Sequence, residues 1–139
     1  MTLLLNKRIF IVEDNMQNRV IFQIALVRYG AIVDFERMGR DTIYRLRGKD
    51  NLDLIILDLM LAEGLSGFDL VEQIRALPNC ATVPILAVSA MDAAVAMPKA
   101  RAMGFAGFIA KPIDNYDFPK QVLAVINGEQ VWHAGDMGS

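Results

Sequence analysis

Apolar and polar positions alternate along the 139-residue chain in two distinct ways. Short runs of consecutive apolar residues have the length of strands, and between them lie longer segments in which apolar residues recur with a helical period. A run that is apolar at every position fits a strand that is covered on both faces, as in a parallel sheet between two layers of helices. The pattern therefore predicts repeated strand–helix units and an α/β fold.

Five strand–helix units follow one another along the chain. The predicted strands lie at residues 8–13, 31–35, 54–57, 84–88 and 106–110. The predicted helices lie at residues 15–29, 40–47, 67–77, 92–103 and 114–126. We expect residues 1–128 to form a single domain and the polar, glycine-containing residues 129–139 to form a flexible tail.

Two of the helical segments have distinctive sequences. In the first, Val20, Ile24 and Val27 are spaced by four and three residues, as on one face of a helix. In the fourth, Pro98 lies in the middle of the segment, where it would remove a backbone hydrogen bond. The fourth helix is therefore expected either to begin near Met97 or to kink at the proline.

Charge and composition exclude several classes of function. The 14 Lys and Arg residues are outnumbered by 16 Asp and Glu residues, so direct nucleic acid binding is not expected. A single cysteine, Cys80, and a single histidine, His133, exclude an internal disulfide and most zinc sites. No apolar run has the length of a signal sequence or a membrane span, which favours a cytoplasmic protein without a membrane partner.

Polar side chains collect at the carboxyl ends of four predicted strands. Glu13 and Asp14 follow the first strand, Asp58 the third, Ser89 the fourth and Lys111 the fifth. The carboxyl ends of parallel strands meet at one edge of the sheet, where α/β proteins bind their ligands. Each of these residues alone is most often structural, as a helix cap, a turn residue or a solvated charge. Their joint placement is what indicates a functional site.

These residue types suit phosphoryl chemistry. Three carboxylates close together need a counter-charge, because each ionised neighbour disfavours the charge of the others. Mg²⁺, with Mn²⁺ as an alternative, takes oxygen ligands of this kind together with phosphate oxygens. Beside such a cation and the Lys111 ammonium, Asp58 is suited to receive a phosphoryl group as a nucleophile, and Ser89 can donate to a phosphoryl oxygen.

Four short motifs resemble a known family. They are Ile-Val-Glu-Asp-Asn at residues 11–15, Leu-Asp-Leu-Met at 57–60, Val-Ser-Ala at 88–90 and Phe-Ile-Ala-Lys-Pro at 108–112. In this order and at these intervals they resemble the CheY-like receiver domain of bacterial two-component response regulators, over residues 7–127. The resemblance implies a doubly wound, flavodoxin-like (βα)5 sandwich of three layers, whose five-stranded parallel sheet has the order 2-1-3-4-5.

The resemblance also implies the roles of the acidic residues. Asp58 is the phosphoacceptor, and Mg²⁺ is held by Asp14, Asp58 and the backbone carbonyl group of Met60, with Glu13 acting through a water molecule. Met60 places an apolar side chain where phosphoryl groups enter and leave, so we expect it to change the lifetime of the phosphorylated form. The loop after Asp58 is one residue longer than expected before the glycine.

A switch is implied in the same way. Lys111 contacts the phosphoryl group, Ser89 is the switch hydroxyl that moves toward it, and Phe108 is an aromatic residue that follows this movement or is simply a core residue. The Lys111–Pro112 bond is expected to be cis. The face formed by the fourth helix, the fifth strand and the fifth helix would dock an unknown downstream protein or form a homodimer.

By this interpretation the protein is a phosphotransfer switch of a two-component system or phosphorelay, and not an enzyme that turns over a substrate. Its phosphodonor is a sensor histidine kinase or a histidine phosphotransfer protein. One alternative is a degenerate receiver that docks partners without phosphorylation. Another is an aspartyl-phosphate hydrolase, which would need a second acid where the chain has Met60.

Overall fold

The structure is a computed structural model that describes residues 2–37 and 39–135. Its strands are β1 (Arg8–Val12), β2 (Ile32–Glu36), β3 (Leu54–Leu57), β4 (Ile85–Ser89), β5 (Gly107–Ala110) and β6 (Val131–His133). Its helices are α1 (Met16–Val27), α2 (Thr42–Leu46), α3 (Gly67–Arg75), α4 (Ala93–Ala102) and α5 (Phe118–Ile126). All strand pairs are parallel, and the order across the sheet is β2-β1-β3-β4-β5-β6. No helix in the described ranges is both long and apolar enough to cross a membrane.

Two hydrophobic cores lie on opposite faces of the sheet, and the central strand β3 contributes to both. Ile55 and Leu57 pack with α2, α3 and α4, whereas Leu54 and Ile56 pack with α1 and α5. All four side chains are buried, which is why this strand is apolar at every position. The doubly wound, three-layer fold predicted from the sequence is confirmed.

The sixth strand, which lies within residues 129–139, corrects the prediction of five strands. Val131–His133 pair in parallel with β5 and extend the sheet by one strand. Without them β5 would present unpaired backbone groups at the sheet edge. Residues 136–139 of the expected tail lie outside the described part of the chain.

Helix α1 forms where predicted, but its apolar periodicity marks the wrong face. Val20 and Ile24 are 52% and 58% exposed, whereas Phe22, Ala25 and Leu26 are buried against the sheet. Apolar residues lie around most of this helix, so their spacing alone does not identify the stripe that packs. An exposed apolar strip on α1 is the result.

Helix α4 begins earlier than one of the predicted alternatives. The side chain of Asp92 accepts a hydrogen bond from the Ala94 N–H at 3.1 Å and caps the helix, which then continues through Pro98. The prediction of a start near Met97 is therefore wrong. Pro98 lies on the exposed side of the helix, and Ala96 is among the residues that pack against the sheet.

Candidate functional site

The site lies at the carboxyl edge of the sheet, where the loops after β1, β3, β4 and β5 meet. Val12 of β1 and Leu57 of β3 are paired in register, so Glu13 and Asp58 leave neighbouring strands at the same level. The Asp58 N–H donates to the Val12 carbonyl oxygen at 3.2 Å. Strand topology therefore brings together side chains that are far apart in sequence.

One ammonium group lies at the centre of the site and contacts two carboxylates. The Lys111 Nζ atom donates to Glu13 Oε1 at 2.5 Å and to Asp58 Oδ2 at 2.7 Å. The side chains are 13%, 1% and 6% exposed for Lys111, Glu13 and Asp58 respectively. Buried charges of this kind are tolerated when they are paired and hydrogen-bonded, which fixes all three side chains in position.

Backbone amides hold the other oxygen of each carboxylate. Asp58 Oδ1 accepts from the Met60 N–H at 3.1 Å, and Glu13 Oε2 accepts from the Asn15 N–H at 3.2 Å. Each carboxylate thus receives one hydrogen bond from Lys111 and one from its own loop. This arrangement fixes the orientation of Asp58 toward the cleft before any ligand is bound.

The third carboxylate, Asp14, completes a group that can hold a cation. Carboxylate oxygens of Glu13, Asp14 and Asp58 all lie within 4.8 Å of one another, and Asp14 is half-buried. Three carboxylates face one ammonium, so the cluster carries an excess of negative charge in a partly desolvated place. An all-oxygen donor set with this excess fits a hard divalent cation such as Mg²⁺.

Burial and charge move two pKa values in this cluster. Burial raises the pKa of the Glu13 carboxyl group above its usual value, against the lowering effect of its hydrogen bond with Lys111. Burial by itself lowers the pKa of Lys111, but its hydrogen bonds with Asp58 and Glu13 outweigh that effect and raise the pKa overall. Lys111 therefore remains an ammonium at neutral pH, and for Glu13 the cost of burial outweighs the stabilisation that its hydrogen bonds give to the carboxylate.

The loops after β4 and β5 are linked to each other beside this cluster. Ser89 is fully buried; its Oγ atom accepts from the Met91 N–H at 3.3 Å, and its carbonyl oxygen accepts from the Lys111 N–H at 3.0 Å. The Lys111–Pro112 peptide bond is cis. Phe108 is fully buried in the core on the side of α3 and α4. Because of this backbone hydrogen bond, a displacement of Ser89 would also shift Lys111, and a displacement of Lys111 would also shift Ser89.

The loop after Asp58 is folded back on itself. Met60 and Ser66 form an isolated antiparallel bridge around a short 3-10 turn at Ala62–Gly64. Gly67 then packs directly under Asp58, where an added Cβ atom would overlap the Asp58 carbonyl oxygen. The Met60 side chain is 48% exposed and lies outside the core.

Two residues that position the site are missed by reading the strand ends. Arg19, one turn into α1, donates its Nη1 atom to the carbonyl oxygens of Glu13 at 3.1 Å and of Asp14 at 2.9 Å. Gly67 is the second, because its backbone packs so closely against the Asp58 carbonyl group that no side chain fits between them. The Arg19 contact has a weak sequence signal, because Arg19 is the fourth residue of the helix that follows the acidic pair and so lies one turn away from that loop. The spacing alone does not identify the bond.

Comparisons with known proteins agree with this geometry. A family model for the response regulator receiver domain matches residues 9–123. Histidine kinase 2 of Arabidopsis thaliana is 29% identical over 132 residues, covering 81% of this chain and 11% of that protein. The chain thus corresponds to a small part of the length of this relative.

Solved structures share the fold along most of the chain. The non-phosphorylated HemR receiver domain from Leptospira biflexa is 28% identical, with a TM-score of 0.76 and coverage of 87% of this chain and 94% of that one. The receiver domain of a sensor histidine kinase from Pseudomonas aeruginosa, which holds a magnesium ion in its active-site cleft, has a TM-score of 0.77 at 24% identity, with coverage of 88% and 98%. The six-stranded doubly wound fold, the acidic cluster and the match over residues 9–123 together place the chain in the response regulator receiver domain family, a signalling module of two-component systems.

Proposed function

We propose that Asp58 accepts a phosphoryl group from a phosphohistidine of a partner protein, either a sensor histidine kinase or a histidine phosphotransfer protein. The observation that carries this proposal is the contact between Lys111 Nζ and Asp58 Oδ2 at 2.7 Å, inside a cluster that also contains Glu13 and Asp14. A carboxylate oriented in advance beside a fixed positive charge is suited to attack phosphorus.

The transfer exchanges one bond to phosphorus for another. A carboxylate oxygen of Asp58 forms the new P–O bond while the P–N bond to the donor histidine breaks, and the electron pair of that bond stays with the imidazole ring. Negative charge spreads over the phosphoryl oxygens in the transition state. The Lys111 ammonium and the Ser89 hydroxyl group lie on the loops that border this position, and they stabilise that charge by hydrogen bonding.

Glu13, Asp14 and Asp58 are the residues that would hold Mg²⁺ or Mn²⁺, with the carbonyl group of Met60 as a further ligand. Such a cation would supply positive charge that offsets the carboxylates and stabilises the phosphoryl oxygens.

Phosphorylation is proposed to act through Ser89, Lys111 and Phe108. The phosphoryl group adds about −1.5 to −2 charge and three acceptor oxygens, which draw the Ser89 hydroxyl and the Lys111 ammonium inward. Phe108 is fully buried in the core that also contains Ala96 and Ala100 of α4, so it would repack as the loops move. The readout is a change of the α4–β5–α5 face that a downstream partner or a second copy recognises, in the cytoplasm.

The test is intact-mass spectrometry after incubation with acetyl phosphate, with MgCl₂ or with EDTA. The wild-type chain and the variants Asp58→Asn and Asp69→Asn are compared. Asp69 is an exposed aspartate on α3 and serves as the matched control. We expect one added phosphoryl group in wild type and in Asp69→Asn, only with Mg²⁺, and none in Asp58→Asn.

Two other outcomes would contradict the proposal. Phosphorylation that persists in Asp58→Asn would assign the acceptor to another residue. A wild-type chain that gains no phosphoryl group and does not bind beryllofluoride with Mg²⁺ would be a docking module that works without phosphorylation.

A further inference from the structure

The strand β6 closes the edge of the sheet with the chain's own C-terminal segment, residues 129–135. Val131–His133 pair with Gly107–Ile109, and the Val131 N–H donates to the Ala106 carbonyl oxygen at 3.3 Å. Gly107 permits this close approach, because an added Cβ atom there would overlap the Val131 carbonyl oxygen. The segment occupies the edge to which an external strand could otherwise add.

The C-terminal segment is held less firmly than the strand it covers. Gly107, Phe108 and Ile109 of β5 are buried, whereas none of residues 129–135 is. A three-residue edge strand without a buried side chain belongs to the part of a fold that opens at low free energy. Detachment therefore exposes only Val131 and Trp132, which are partly buried against the two cores.

The same segment contacts α4, which follows the loop after β4, and β5, which leads into the loop that carries Lys111. The Arg101 guanidinium carbon of α4 lies 4.3 Å from the centre of the Trp132 ring, and α4 follows the loop that begins at Ser89. At the other end, an added Cβ atom on Gly135 would lie 3.3 Å from the Ala110 Cβ atom. Ala110 directly precedes Lys111 in the chain.

We propose that residues 129–135 form a displaceable intramolecular strand, which covers the β5 edge while the site is empty and loosens when Asp58 carries a phosphoryl group. The freed edge then accepts an extended segment of a partner, which pairs as a strand and places an aromatic side chain against Arg101. This inference rests on the proposed function of Asp58. Beyond that function, it identifies the β5 edge as the surface that is opened, and an extended segment with an aromatic side chain as the partner.

The coupling follows from the contacts of Trp132. The phosphoryl group draws Ser89 and Lys111 toward itself. Ser89 lies at the start of the loop that leads to α4, and Lys111 directly follows β5. Because Trp132 pairs in register with Phe108 of β5 and also contacts Arg101 of α4, a shift of one element against the other changes the geometry of at least one of these contacts. The ligand shifts the equilibrium only as far as it binds the open form more tightly.

Trp132 is the only tryptophan of the chain, so its fluorescence reports the segment in the full-length protein. The test measures acrylamide quenching of Trp132 and hydrogen–deuterium exchange of a peptide that contains Gly107–Ala110, with and without beryllofluoride and Mg²⁺. Binding is followed separately as the rise in melting temperature, with Asp58→Asn as its control. We expect at least a twofold increase in quenching, and faster exchange in β5, when beryllofluoride binds.

Two proline variants complete the test. Val131→Pro removes the N–H that bonds to Ala106 and should give the high quenching of the open form without any ligand. Ala134→Pro places a proline just after the strand and should quench like wild type.

Four results separate the inference from the proposed function. Beryllofluoride binding with increased quenching supports both. Binding with unchanged quenching and exchange overturns the displaceable strand and leaves the function of Asp58 intact. An absence of binding overturns the proposed function and, with it, control of the segment by phosphorylation. Wild-type quenching in ligand-free Val131→Pro would show that β6 does not hold Trp132, which also overturns the inference.

Discussion

At the residue scale, the cluster has more negative charge than its own cation can offset. Lys111 pairs with Glu13 and Asp58, and the nearby Asp14 adds a third carboxylate. Repulsion among these groups reduces the stability of the empty site, and a bound divalent cation relieves it.

Replacing Asp14 by asparagine should therefore stabilise the protein without metal and abolish its response to Mg²⁺. The change removes one negative charge and keeps the size of the side chain. We expect a higher melting temperature than wild type in EDTA and no further rise with MgCl₂, whereas wild type should show that rise. Asp41→Asn, at an exposed position whose side chain makes no capping hydrogen bond, is the control. An undiminished Mg²⁺ response in Asp14→Asn would place the metal elsewhere.

Gly67 should tolerate no side chain. Its added Cβ atom would overlap the Asp58 carbonyl oxygen and lie 3.1 Å from the Leu57 side chain. We expect Gly67→Ala to lower the free energy of unfolding by about 1–3 kcal/mol, as overpacking does, in a urea titration. Gly48→Ala, where the nearest atom would be 3.9 Å away, should change it by less than about 0.5 kcal/mol. Equal effects in the two variants would contradict this packing.

Strand ends predict where the chemistry lies, because parallel strands deliver their carboxyl ends to one edge. For that reason the sequence alone predicts that Glu13, Asp58 and Lys111 lie close together. In the structure Lys111 contacts both carboxylates. Arg19 and Gly67 could not be found in the same way. Their contacts depend on how closely a helix and a loop approach a strand end, and a sequence pattern does not fix that distance.

At the scale of elements, α1 shows how a correct helix prediction can misplace its buried face. Phe22 is 2% exposed and stacks on Phe118 with ring centres 5.7 Å apart, whereas Ile24 points to solvent. Apolar residues on both sides of a helix remove the contrast from which the packed stripe is inferred.

Alanine substitutions on α1 should separate the two faces. Phe22→Ala should lower the free energy of unfolding by about 3–5 kcal/mol, since it leaves a cavity in the core. Ile24→Ala should change it by less than about 0.5 kcal/mol, because the side chain is largely exposed. Urea titration measures both. Comparable losses would mean that Ile24 is buried and that the helix is rotated.

Pro98 should make α4 less stable than its sequence would otherwise allow. It lies beyond the first turn of the helix, where its missing N–H leaves a carbonyl group of the preceding turn without its usual partner. Pro98→Ala should raise the free energy of unfolding by about 1–3 kcal/mol. Pro119→Ala is the contrasting variant, because Pro119 lies in the first turn of α5 and removes no helical bond. A gain for Pro119→Ala and none for Pro98→Ala would contradict this account.

The element that sequence reasoning misses is β6. Its three residues are too few to show alternation, and they follow a helix-ending glycine in a polar segment. The strand exists because β5 offers an unpaired edge and Gly107 leaves room beside it. Tertiary pairing of this kind outweighs local propensity.

At the scale of the whole molecule, the buried central strands and the two cores hold a polar cluster at one edge of the sheet. The family match covers most of the chain, and the fold agrees with that of solved receiver domains. The C-terminal segment and the exposed apolar strip of α1 are features of this chain that the predicted five-unit pattern does not contain.

The central claim is that Asp58 carries the phosphoryl group, and its most direct test identifies the modified residue. Protein incubated with acetyl phosphate and Mg²⁺ is treated with borohydride, which reduces an acyl phosphate to an alcohol as phosphate leaves. Peptide mass spectrometry should then find homoserine at position 58 alone, and none when EDTA replaces Mg²⁺. Homoserine at Asp14 or another aspartate, 5-hydroxynorvaline at Glu13, which is the alcohol a reduced glutamyl phosphate gives, or a phosphorylated protein in which borohydride leaves Asp58 unchanged would contradict the account.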